Sequence, residues 1–164
     1  MAGGIDARTW RSGIAVGAAP EHVLDLLTDV DACDAWSPVR FEVDGTGPTR
    51  LRTGSTTTVS GRLAGRRISF RVNILQADSE RLVVRALGPI EMDVRYVVGR
   101  ASEGSQVDAE ITVRGGGGCG GGLAARATSV LLCAGALDRT LARIASEAER
   151  RGRRKARSRQ RRRR

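Results

Sequence analysis

Two periods divide this chain. From Thr9 to Val113 most apolar residues recur at every second position, and two further stretches repeat at helical spacing. Trp10, Ile14 and Val16 share one parity and predict a first strand. A helix follows: Pro20 suits its first turn, where a missing N–H costs nothing, and Val23, Leu26, Leu27 and Val30 then fall on one side. Asp31 to Trp36 predicts a second short helix, capped by Asp31 and stopped by Pro38. Beyond it, Val39, Phe41 and Val43 alternate with Arg40, Glu42 and Asp44. A threonine-rich strand comes next, with Thr56 and Thr58 expected inward. Ile68, Phe70, Val72 and Ile74 then oppose Ser69, Arg71 and Asn73. Arg81 to Leu87 predicts a strand ending at the Gly88–Pro89 turn. Ile90, Met92, Val94, Tyr96 and Val98 oppose Glu91, Asp93 and Arg95, and Val107, Ala109, Ile111 and Val113 oppose Asp108, Glu110 and Thr112. Such runs are half-buried antiparallel strands with one dry and one charged face.

The last pattern is helical. Leu123, Ala127, Val130, Leu131, Ala134, Leu137, Leu141, Ile144 and Ala148 predict one continuous stripe, about 40 Å long at ~1.5 Å per residue. The order is thus a strand, one or two short helices, six more strands and a long helix. A sheet with a single dry face needs an apolar cover, and the terminal helix alone has the length for it. The expected class is α+β.

Charge changes the picture only at the end of the chain. Of the 28 lysines and arginines in 164 residues, eleven lie from Arg150 onward with no acid among them, which leaves residues 1–149 with 17 basic against 18 acidic side chains. The body is neutral and the terminal segment is a polycation. With almost no apolar residue, 150–164 is expected to be disordered on its own, though its base can prolong the helix. An anionic membrane surface or a nucleic acid is its candidate partner. Cys33, Cys119 and Cys133 are odd in number and lack metal-ligand spacing, which reads as thiols in a reducing compartment. With no secretory signal in evidence and the longest apolar run, Val130 to Leu137, too short for a bilayer, no integral membrane segment is expected and the expected location is cytoplasmic.

Several features invite chemistry and do not sustain it. Seven of the eight residues from Gly115 to Gly122 are glycine, yet no Lys-Ser/Thr pair follows and no βαβ unit surrounds them, so neither a phosphate loop nor a dinucleotide site is expected. A strand-to-helix hinge fits better. Asp29, Asp31 and Asp34 lack the glycine and terminal glutamate of a calcium loop. His22 is the sole histidine, so no metal set or catalytic triad can form around it. No cofactor and no metal are expected.

"APEHVLDLLTDVDACDAWSPV" (19–39), "LRTGSTTTV" (51–59), "RLVVRALGPIEMDVRYVV" (81–98) and the long terminal helix together resemble, in order and spacing, the START-like (SRPBCC) superfamily, within it the bacterial polyketide cyclase/dehydrase and lipid-transport branch. The resemblance covers residues about 9 to 149, which leaves 1–8 as a flexible start. It implies a helix-grip fold: a curved seven-stranded antiparallel sheet wrapped around a long C-terminal helix, with one or two short helices between strands 1 and 2. It also implies an apolar cavity between sheet and helix, for a lipid-like or polyketide-like molecule. Residues placed to line it are Trp36, Phe41, Phe70, Val72, Met92, Val94, Tyr96, Ile111, Val130, Ala134 and Leu137. The same parity also fits a filled core, and Trp36 also fits an anchor for the short helices. Cyclases on this scaffold work by positioning and proton transfer. Here Tyr96 is the only tyrosine, and Arg71, Arg85, Arg95 and Glu42 fall on the outward parity. The residues therefore favour a carrier or sensor over a cyclase or dehydratase, without excluding either.

Overall fold

The computed structural model describes residues 7–37, 41–43, 49–63, 65–115 and 121–163. Strand β1 is Arg8–Val16. Helix α1, Pro20–Thr28, leads through a 3-10 turn, Val30–Ala32, to the short α2, Cys33–Trp36. Six strands follow: β2 Phe41–Val43, β3 Thr56–Leu63, β4 Arg66–Ala77, β5 Arg81–Leu87, β6 Ile90–Arg100 and β7 Ser105–Gly115. Two helices end the chain, α3 Gly121–Cys133 and α4 Ala136–Arg162. The seven strands form one antiparallel sheet in the order β1-β7-β6-β5-β4-β3-β2, so each neighbour in space is a neighbour in sequence except where β1 closes on β7. This is the helix-grip arrangement that the resemblance implies, with the elements in the order that the periods predict.

The alternating strands behave as read. Ile74, Tyr96, Val98, Val107 and Ala109 are buried against Leu137, Leu141 and Ile144 of α4 and Val23, Leu26 and Leu27 of α1. On the outer face Arg85 and Arg114 both reach Asp93, and Arg11 pairs with Glu110. Burial works to raise the Asp93 carboxyl, but hydrogen bonds from the two guanidiniums outweigh it and hold it below its ordinary value. In β4 the pairing with β5 shifts between Ile74 and Gln76 and turns Leu75 out to 47% exposure; such an irregularity sharpens a sheet's bend.

Three expectations are corrected here. The predicted single stripe from Leu123 to Ala148 is two helices, because Gly135 adopts φ 82°, the left-handed conformation that ends α3. The break resets the helical phase, so the stripe is continuous only within α4. In β3 the register pairs Thr57 with Val72 and Val59 with Phe70, which puts Thr57 and Val59 on the inner face. Thr56 and Thr58 are exposed, and Thr56 Oγ1 donates to Asn73 Oδ1 at 3.0 Å on the outer side. Finally, where disorder is expected from residue 150, α4 runs on to Arg162. Ion pairs fix its base: Arg151 to Asp29 at 2.9 Å and to Glu147, and Lys155 to Asp25 at 3.2 Å. Arginine is also a good helix former.

Candidate ligand cavity

Between the concave face of the sheet and the helices lies a cavity of about 770 Å³. Its floor is built from rungs that the strand register sets side by side. Val84, Val94 and Ile111 form one such row across β5, β6 and β7, and Val72, Ala86 and Met92 form another across β4, β5 and β6. Val59 and Phe70 extend the wall toward the β3 edge. The roof comes from Thr128, Leu131 and Leu132 of α3 and from Ala136, Leu137 and Thr140 of α4. The Gly135 turn lets both helices cover one space, because α3 and α4 need not share an axis.

Polar groups enter at two levels. Deep inside, Tyr96 is 5% exposed and meets Trp36 edge to face, with ring centroids 6.3 Å apart and planes at 83°. Burial, and secondarily the thiolate that Cys33 becomes only at high pH, raises the Tyr96 hydroxyl well above its ordinary range, so it stays a proton-bearing donor at neutral pH. Trp36 Nε1 is buried without a hydrogen-bond partner among the described residues. The Cys33 thiol is pushed up to about 11, first by burial and then by the charges of Asp29, Asp34 and Asp31, which leaves it protonated and a poor nucleophile. The second level is nearer solvent. Asp31 and Asp34 lie in the lining on the α2 side, and Arg139 and Arg143 on the α4 side. Arg143 Nη1 donates to the Ser37 carbonyl at 3.2 Å, tying α4 to the end of α2.

Of the residues read from sequence as cavity-lining, Trp36, Phe70, Val72, Met92, Val94, Tyr96, Ile111 and Leu137 are brought together in this wall. Val130 and Ala134 are not. Val130 is 67% exposed and Ala134 faces solvent, because their positions were phased on a helix that Gly135 interrupts. Leu131 and Leu132 take the place expected for them. The Phe41 side chain and the hinge expected at Gly115–Gly122, of which 116–120 are undescribed, lie outside the described residues, as do the 1–6 segment and Cys119. His22 is half-buried near Gly152 and is absent from the cavity lining. Among the described residues no cluster of histidine, cysteine and carboxylate side chains is arranged to hold a metal ion, and no helix is long and apolar enough to cross a membrane.

Sequence reading missed the charged rim. Arg139 and Arg143 sit three residues after Ala136 and Thr140, which face inward; that spacing is the available signal, and it appears only once α4 is known to start at Ala136.

The family model described as polyketide cyclase / dehydrase and lipid transport matches residues 9–149. Solved structures share the fold at low identity. Protein CV1439 from Chromobacterium violaceum superposes with a TM-score of 0.65 at 18% identity, covering 86% of this chain and 96% of that one. The Zhui aromatase/cyclase from Streptomyces sp. R1128 gives 0.62 at 18% identity, covering 88% of this chain and 95% of its own. Ara h 8.0201 gives 0.56 at 12% identity, with coverage of 85% and 99%. None of the curated proteins matches the sequence. At these identities the structural likenesses speak for the fold alone.

Proposed function

We propose that this chain, which belongs to the polyketide cyclase / dehydrase and lipid transport family, is a carrier or sensor that holds one lipid-like or polyketide-like molecule between its sheet and its terminal helices. The observation that carries this is the cavity itself: about 770 Å³ walled by Phe70, Val72, Val84, Met92, Val94, Ile111 and Leu137. That falls within the roughly 300–1,000 Å³ of ordinary small-molecule sites. A guest that loses ~300 Å² of apolar surface there gains on the order of 7 kcal/mol at about 25 cal/mol per Å², before the cost of its lost freedom. The buried polar groups favour holding over turnover, because Tyr96 and the Cys33 thiol both keep their protons and neither offers a base deep in the site among the described residues. A neutral, polarity-sensitive fluorophore titrated into the full chain should saturate at one equivalent with a blue-shifted emission. Native mass spectrometry of gently purified protein should show a copurifying apolar mass. A flat titration together with a bare-chain spectrum would overturn the reading.

A second role is proposed for the end of α4. Residues 153–162 of this helix are exposed all round, and Ala156 is their only apolar residue. An interfacial helix needs an apolar face to enter a bilayer, which this one lacks; what it offers is cationic charge for phosphates, and a nucleic-acid duplex presents those as a dense row. Binding of the full chain to a mixed-sequence duplex should weaken steeply with salt, and Arg157, Arg159 and Arg161→Gln together should flatten that dependence. Tighter attachment to anionic vesicles than to duplex at equal salt would reverse the choice.

A further inference from the structure

The charged rim constrains the chemistry of the guest, given the cavity reading above. Arg139 and Arg143 stand four residues apart on α4, flanking Thr140 on the side that bounds the cavity. Side chains at that spacing are neighbours on one helix face. Further along the same helix, Arg150, Arg151 and Lys155 are neutralised by Glu147, Asp29 and Asp25. At the mouth neither Arg139 nor Arg143 forms an ion pair with any described residue, and the Ser37 carbonyl uses one donor of Arg143. The two acids of the rim, Asp31 and Asp34, line the same cavity and act with their charge on Cys33, and neither pairs with Arg139 or Arg143 among the described residues.

We infer that the bound molecule is an apolar chain or ring system ending in a carboxylate, seated with its body on the Val84–Val94–Ile111 row and its acid outward against Arg139 and Arg143. Guanidinium forks match a carboxylate in two parallel hydrogen bonds, and the Ser37 contact holds one fork in place before the guest arrives. Burying the body and leaving the acid at the rim avoids the cost of taking a charge into the apolar interior.

Displacement of the neutral fluorophore by oleate and by oleyl alcohol, each below its aggregation limit, tests this on the full chain. Oleate should bind at least about tenfold more tightly than the alcohol, a difference of ~1.4 kcal/mol. R139Q/R143Q should bring oleate to the level of the alcohol and leave the alcohol unchanged, while R139K/R143K should retain part of the preference. Both arginines are solvent-facing, so the fold should survive. Equal binding of acid and alcohol by the native chain, or an acid preference that persists in R139Q/R143Q, would overturn the inference while leaving the cavity reading intact. Stronger binding of zwitterionic oleoyl-lysophosphocholine than of oleate would also overturn it, by making Asp31 and Asp34 partners. Failure of the alcohol and the acid alike would remove the cavity reading and this inference with it.

Discussion

Gly104→Val should cost the fold several kcal/mol, a large part of the ~5–15 kcal/mol that holds a domain of this kind together. Gly104 has φ +88° in the turn before β7, and a Cβ there would lie 2.1 Å from the Val16 carbonyl oxygen and 3.0 Å from the Ala18 nitrogen. Those are main-chain atoms and cannot swing aside as a side chain would. Val16 pairs with Ser105 at the β1–β7 closure, and the fully buried Ser105 hydroxyl donates to the Ala18 carbonyl at 2.9 Å. Making room for a side chain therefore pulls on the first rung of that pairing and on the entry to α1. The left-handed conformation alone costs a β-carbon roughly 1–2 kcal/mol; the overlap adds to it, so ~3–5 kcal/mol is expected. Gly135→Ala separates the two contributions. Gly135 has φ +82° as well, but its added Cβ meets only the Asp138 carboxylate, at an ordinary 3.7 Å. Urea unfolding followed by circular dichroism should show a loss for Gly135→Ala of only ~1–2 kcal/mol. Equal losses at the two glycines would mean that close approach at Gly104 is not what the fold depends on.

How far the structure was legible in the sequence varies from element to element, for physical reasons. Strands β4, β6 and β7 could be phased because each sets charged or polar residues against apolar ones along its length, as Arg71, Asp93 and Asp108 do. Strand β5 rests on Arg85 alone. Leu82, Val84 and Ala86 face inward, but Val83 and Leu87 are apolar too, so one charged residue carries the phase that the pairing of Val84 with Val94 bears out. In β3 three consecutive threonines carry no parity, and the inner side is decided by Val59 against Phe70. The two misplaced wall residues have one cause. Val130 and Ala134 were phased through Gly135, a residue that can end a helix as readily as it can pass unnoticed within one. The terminal segment is a different case. Arg151 and Asp29 are 122 positions apart, so the contact that anchors the base of the basic helix leaves no local trace in composition.

Tryptophans introduced together at Ala86 and Val94 should abolish uptake of the neutral fluorophore while leaving a cooperatively folded protein. Both residues are inner-face positions on adjacent strands, and both line the cavity floor. In a close-packed interior such enlargements force displaced rotamers and cost ~1–3 kcal/mol each. Where the bulk enters a void, the new rings gain dispersion contacts and lose little, so the unfolding midpoint should change modestly in either direction. The ligand suffers instead, because it competes with the rings for the same apolar surface. Affinity should drop by well over tenfold, more than ~1.4 kcal/mol. The same pair of changes discriminates between the two accounts of the inward residues that alternation alone leaves open. If the interior were solidly packed, the double variant would unfold and the native chain would have had nothing to lose in binding. A variant that keeps its cooperative transition yet binds the fluorophore as the native chain does would place the binding site elsewhere on the molecule.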